Sequence, residues 1–121
     1  MSLSRRRRKT RFGVPVVAVA LLLGACAGAP EVPVGPDGRP DPVLLEGRQI
    51  YQVRCQSCHG SNGGGGRGPN IQSDQVVTAY PDPADQEAFV AAGKGQMPAY
   101  AERLTAAEIA AVVRYTREVL R

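Results

Sequence analysis

Three side chains that bind metals or couple to unsaturated carbon stand within one short stretch, Cys55-Gln56-Ser57-Cys58-His59. Thiols three positions apart on a helical turn share a face and can reach the two vinyl groups of one haem. The residue after them then points its imidazole at the iron from the same side. This C-x-x-C-H spacing predicts attachment of one c-type haem. Three other readings of the two thiols compete with it. A thioredoxin-like redox pair needs a βαβ setting, and no segment of this chain alternates convincingly as a strand. A zinc site needs four ligands, and the third cysteine, Cys26, lies far off across a Pro-rich stretch. A plain disulfide between Cys55 and Cys58 leaves His59 without a role.

The rest of the chain predicts an all-α domain that needs something to fill its core. Residues 43–121 form the domain, aromatics are 5% of the chain, and Trp is absent. So few large apolar residues stabilise a small fold poorly on their own. Asp41-Pro42 is a cap followed by a first-turn Pro, and Leu44, Gly47, Ile50, Tyr51 and Val53 give the apolar face of a helix over about 43–54. Ser61 to Pro69 is a loop by composition. Asp82-Pro83 and Gly93 bracket a helix at 83–92, and Ser73 to Tyr80 is ambiguous. The last helix opens with a capping box of Thr105 and Glu108 and a staple of Leu104 on Ile109. Ile109, Val112, Val113, Thr116, Val119 and Leu120 line its inner face, and Arg114, Arg117 and Arg121 suit its negative end. Three to five helices are expected.

Charge is unevenly placed. The chain holds 15 basic and 11 acidic residues, but Arg5, Arg6, Arg7, Arg8, Lys9 and Arg11 all precede residue 26. The remainder therefore carries nine basic and eleven acidic residues, which argues against nucleic acid as a partner. The basic cluster leads into an apolar run of 14 residues, Phe12 to Ala25, shorter than the roughly 20 needed to span a bilayer. Such a run suits a secretory h-region. It ends Leu23-Gly24-Ala25-Cys26, which resembles a bacterial lipoprotein box. The resemblance implies that 1–25 is a signal peptide, cleaved before a Cys26 that carries a diacylglycerol thioether and an N-acyl chain. An uncleaved anchor, or an ordinary signal with an incidental Cys, is the competing reading. Residues 27–42 contain five Pro and three Gly. With Cys26 they are expected to form a lipidated, extended tether reaching at most about 50 Å.

A sixth ligand for the iron has few sources. His59 is the sole His, and Met97 is the sole Met beyond the initiator. Met97 lies in Gly95-Gln96-Met97-Pro98, a rigid non-helical loop that could hold a thioether over a flat ligand; a lone Met is otherwise ordinary core filler.

At this point the chain resembles the class I, single-haem c-type cytochromes. The likeness spans nearly all of 43–121. It rests on Gly47 and Tyr51, Cys55 to Gly60, Gly68-Pro69-Asn70-Ile71, Gly95 to Tyr100, and Leu104-Thr105 with Tyr115. It implies the cytochrome c fold, three to five helices around one covalently attached haem. It also implies that Gly47 lets Tyr115 approach where the first and last helices cross. By the same likeness the Pro69 carbonyl accepts the His59 Nδ1 proton, and Ile71 packs on the haem. Arg67 is a candidate donor to the propionates, or else an ordinary solvated residue.

The expected function is one-electron transfer by a His59/Met97-ligated haem, without bond chemistry or a small-molecule substrate. The protein would be exported and tethered through Cys26 to the outer face of a bacterial membrane. It would pass electrons between a redox donor and acceptor of a respiratory chain. Two rivals are a haem subunit held in a larger redox enzyme, and a haem enzyme or gas sensor in which Met97 is displaceable.

Overall fold

Asp41 begins the first helix. Its carboxylate accepts from the Val43 amide at 2.8 Å and the Leu44 amide at 3.4 Å, while Pro42 occupies a position that needs no amide. The computed structural model describes residues 28–121. Helix α1 (Pro42–Ile50) runs through a π-helical segment, Tyr51–Cys55, into α2 (Gln56–His59). The apolar pattern predicts a plain helix to about residue 54. Instead the Gln56 amide donates to the Tyr51 carbonyl five residues back, so one extra residue is accommodated just ahead of the second cysteine.

Helix α3 (Ser73–Ala79) resolves the ambiguous stretch, and α4 (Pro83–Ala92) starts on the Asp82 cap as expected. A 3₁₀ turn follows at Tyr100–Glu102. Helix α5 (Ala106–Glu118) carries the full capping box: the Glu108 amide donates to Thr105 Oγ1 and the Thr105 amide to Glu108 Oε2. The described residues contain no strand, only isolated bridges at Val34–Pro40 and Lys94–Met97.

Helices α1 and α5 cross at Gly47. A Cβ there would lie 2.7 Å from the Ala111 carbonyl carbon and 2.9 Å from Tyr115 Cβ, so only Gly permits this approach. Tyr51 and Tyr115, both fully buried, pack with ring centroids 5.5 Å apart beside the crossing. Arg114 ties α5 to the start of α1 by donating to Asp41 at 3.0 Å. Arg117 donates to the Tyr80 and Pro81 carbonyls and to Gln86, which joins α5 to the turn before α4.

The expected tether departs from its sequence reading. Ala29 and Val32 are buried in the core with Leu44, Tyr51, Tyr115 and Leu120. Arg48 donates to the Ala29 and Pro30 carbonyls at 2.9 Å each, and the Tyr115 hydroxyl donates to Pro30 at 2.6 Å. Pro and Gly exclude a helix or a ladder here, but they leave backbone carbonyls free, and those carbonyls are what Arg48 and Tyr115 bind. Residues 29–32 are therefore docked rather than free, while most of 33–39 is exposed. The signal segment 1–25 and Cys26 lie outside the described residues.

Candidate functional site

A cavity of about 670 Å³ opens between the helices, large enough for a sizeable cofactor. Cys55, Cys58 and His59 line it from the π-segment and α2, Pro69 and Ile71 from the loop beyond, and Met97 from the loop after α4. All six residues picked out for haem binding thus face one space. Phe89 and Val90 of α4 and Val112 and Val113 of α5 supply apolar wall.

His59 is buried, and its Nδ1 lies 2.9 Å from the Pro69 carbonyl. A carbonyl only accepts, so Nδ1 carries the proton and donates. Nε2 is left with its lone pair, the state a metal requires. The loop that holds Pro69 is glycine-rich but firmly tied. The Gly65 amide donates to the His59 carbonyl and the Gly68 amide to the Cys58 carbonyl, each at 2.8 Å, and the Ile71 amide bonds Gly63 at 2.8 Å. A Cβ at Gly68 would meet the His59 ring at 2.8 Å, so this residue lets the loop lie flat against the imidazole.

Both cysteine sulfurs are free of any disulfide. Burial, with Cys58 nearby as a lesser cause, pushes the Cys55 thiol up to about 12. That environment disfavours a thiolate and suits a neutral thioether. Among the described residues no group of three or more His, Cys, Asp or Glu side chains is placed to hold a metal ion.

Met97 is half-buried on a tight loop whose ends pair through Lys94 and Met97 backbone bonds of 3.0 and 3.1 Å. Gly93 makes the loop possible. Its φ is +68°, and a Cβ would collide with the Ala99 amide and the Met97 carbonyl at 2.6 Å. Two contributions escaped the sequence reading. Tyr100 is buried and donates from its hydroxyl to the Arg54 carbonyl at 2.8 Å, which clasps the Met97 loop to the π-segment. Gln86 and Thr116 are buried at the cavity wall, with Gln86 Nε2 donating to Thr116 Oγ1 at 3.0 Å. A single Thr in the apolar stripe of α5 was the signal for the second.

The lining fits a haem. Its interior is apolar, its charged lining residues are Arg54, Arg67 and Lys94, and no acid lines it. A flat apolar ring with two carboxylates matches that distribution. A helical fold that turns a C-x-x-C-H motif into such a cavity defines a c-type cytochrome. Residues 42–115 match the family described as cytochrome c oxidase, cbb3-type, subunit III. Cytochrome c-551 of Bacillus subtilis is 32% identical over 94 residues, covering 74% of this chain and 81% of that one. A cytochrome c6-like protein of Nostoc is 38% identical over 77 residues, covering 61% and 68%. The crystal structure of cytochrome c6C from Synechococcus superposes with a TM-score of 0.53 at 34% identity, covering 60% of this chain and 92% of that one. The chain belongs to the cytochrome c family: an electron-transfer protein with one covalently bound c-type haem.

Proposed function

We propose that this cytochrome is a lipid-anchored, single-electron carrier whose iron is held by His59 Nε2 and the Met97 thioether. The observation that carries the reading is the cavity itself, which the only His of the chain and the only Met beyond the initiator both line. When bound, the haem iron supplies one-electron exchange between its ferrous and ferric states. Cys55 and Cys58 hold the ring covalently. Pro69 fixes the His59 tautomer and ring plane. Met97, being a soft neutral ligand, favours the ferrous state and raises the potential. With His59 and Met97 both holding the iron, no position would be left for oxygen or peroxide, which fits a carrier.

The anchor is Cys26, after cleavage of 1–25, at the outer face of a bacterial cell membrane. Its acyl chains exceed the two signals that stable anchoring requires. Redox proteins of the respiratory chain in the same membrane serve as donor and acceptor. A second reading, a haem subunit held within a larger redox enzyme, draws support from the family match to an oxidase subunit. Co-purification of the cytochrome with a stoichiometric partner after detergent extraction would favour it.

The test of ligation is Met97→Ala. It should turn the low-spin spectrum high-spin, abolish the weak sulfur–iron charge-transfer band in the red, and admit carbon monoxide to the reduced protein. A variant that keeps the parent's spectrum and potential would show that another residue is the ligand.

A further inference from the structure

The docked residues 29–32 leave almost no leash. Only Ala27 stands between Cys26 and Gly28 in the chain. Two residues span at most about 7 Å, whatever their conformation. Gly28 then lies beside Gln52, with its Cβ position 3.6 Å from the Gln52 amide nitrogen. Gln52 is in the π-segment, three residues before Cys55. The chain therefore enters the fold next to the very turn that carries the haem. Ala29 and Val32 are held in the core, Arg48 grips the Ala29 and Pro30 carbonyls, and Tyr115 grips Pro30 a second time. Pulling this segment loose would expose two core side chains and leave the buried Tyr115 hydroxyl without its acceptor.

We infer that residues 28–41 are a strap that holds the domain flush on the bilayer, with the haem-bearing turn at the membrane side. The inference rests on lipidation of Cys26. A domain of this length has a radius of gyration of only about 12 Å. Its partner is therefore a membrane-integral redox protein whose docking face stands close to the lipid surface, not a soluble protein met at the end of a long tether. The strap replaces a search through a 50 Å hemisphere with a search in a plane.

The experiment compares two insertions of the same 20-residue Gly/Ser segment in the full chain, expressed with its own signal and recovered in native membranes. One insertion follows Ala27 and lengthens the leash. The other lies between Asp37 and Gly38, in an exposed turn downstream of the docked Ala29 and Val32, and leaves the leash as it is. Two quantities are read: oxidation rate of the reduced cytochrome in the membrane, and quenching of a headgroup fluorophore by the haem in reconstituted vesicles. Lengthening the leash from 2 to 22 residues bounds the loss of effective concentration at roughly 36-fold. The first insertion should slow oxidation between about 3-fold and that bound, and weaken quenching, with the optical spectrum and redox potential unchanged. The Asp37–Gly38 insertion should match the parent in both readouts. Equal behaviour of the two insertions, with acylated Cys26 verified by mass spectrometry, overturns the strap. Absence of acyl groups on the parent's N-terminus overturns the anchor reading and the strap with it.

Discussion

Replacing Gly47 with Ala tests whether the α1–α5 crossing sets the stability of the domain. In an exposed helix the exchange would favour folding by about 1 kcal/mol. Here the new methyl would sit 2.7 Å from a backbone carbon of Ala111 and 2.9 Å from Tyr115 Cβ, neither of which is a flexible side-chain end. The Ala111 carbonyl oxygen is closer still, and ordinary contact starts near 3.4 Å, so the helix axes must part by at least about 0.7 Å. A gap of that size forfeits a quarter to a half of the dispersion energy along the seam, including the Tyr51–Tyr115 contact. Overpacking of this kind costs up to about 3 kcal/mol, which leaves a net loss near 2 kcal/mol after the helix-propensity gain. For a domain of this size that lowers Tm by about 8–16 °C. The assay is a thermal melt of the haem-loaded ferric protein followed by far-ultraviolet circular dichroism, with the visible spectrum as a check on the site. A Gly47→Ala protein that melts at or above the parent would mean that the crossing has slack these contacts do not show.

Thr116→Val keeps the shape of the cavity wall but strips Gln86 Nε2 of its buried partner, and should cost about 1–3 kcal/mol in chemical denaturation. An unchanged denaturation midpoint would mean that the Gln86–Thr116 bond contributes nothing. Burial raises the Tyr51 and Tyr115 phenols, Tyr115 to about 12, while the same groups titrate near 10 when unfolded. Their contribution is complete below pH 10 and is lost as pH climbs toward 12, at up to about 1.4 kcal/mol per pH unit for each phenol. Guanidinium midpoints measured at pH 9 and pH 11 should therefore differ, and equal midpoints would contradict the assignment.

Local chemistry was the most legible part of this chain. Asp41-Pro42, Asp82-Pro83 and the Thr105–Glu108 box each act within one helical turn, and each starts a helix where the side chains say it should. The site was legible for a related reason: Cys55, Cys58 and His59 lie together in sequence, and His59 and Met97 are each the sole candidate of their kind. What escaped depends on contacts between distant segments. Composition tells that 27–42 makes no regular structure, yet it is silent on whether Arg48 and Tyr115 will capture carbonyls 18 and 85 residues away. Helix α3 has no side-chain cap to announce it. Tyr100 reads as one more apolar residue until its hydroxyl finds the Arg54 carbonyl 46 residues away.

The π-helical turn at Tyr51–Cys55 makes haem attachment a matter of residue count as well as residue type. Leu44, Gly47, Tyr51, Cys55 and Cys58 are spaced three or four apart, so an unbroken α-helix would set all five on the stripe that faces α5. One extra residue per turn amounts to about 100° of α-helical rotation. Across that turn Leu44, Gly47 and Tyr51 stay against α5 while Cys55, Cys58 and His59 line the cavity, Cys55 still touching the core. Gln52 and Val53 are both exposed, and Gln52 lies beside Gly28. Deleting either is expected to change the winding of this turn and re-aim the C-x-x-C-H motif, read as loss of haem attachment. Residue count between 51 and 55 thus matters to the site independently of which side chains stand there.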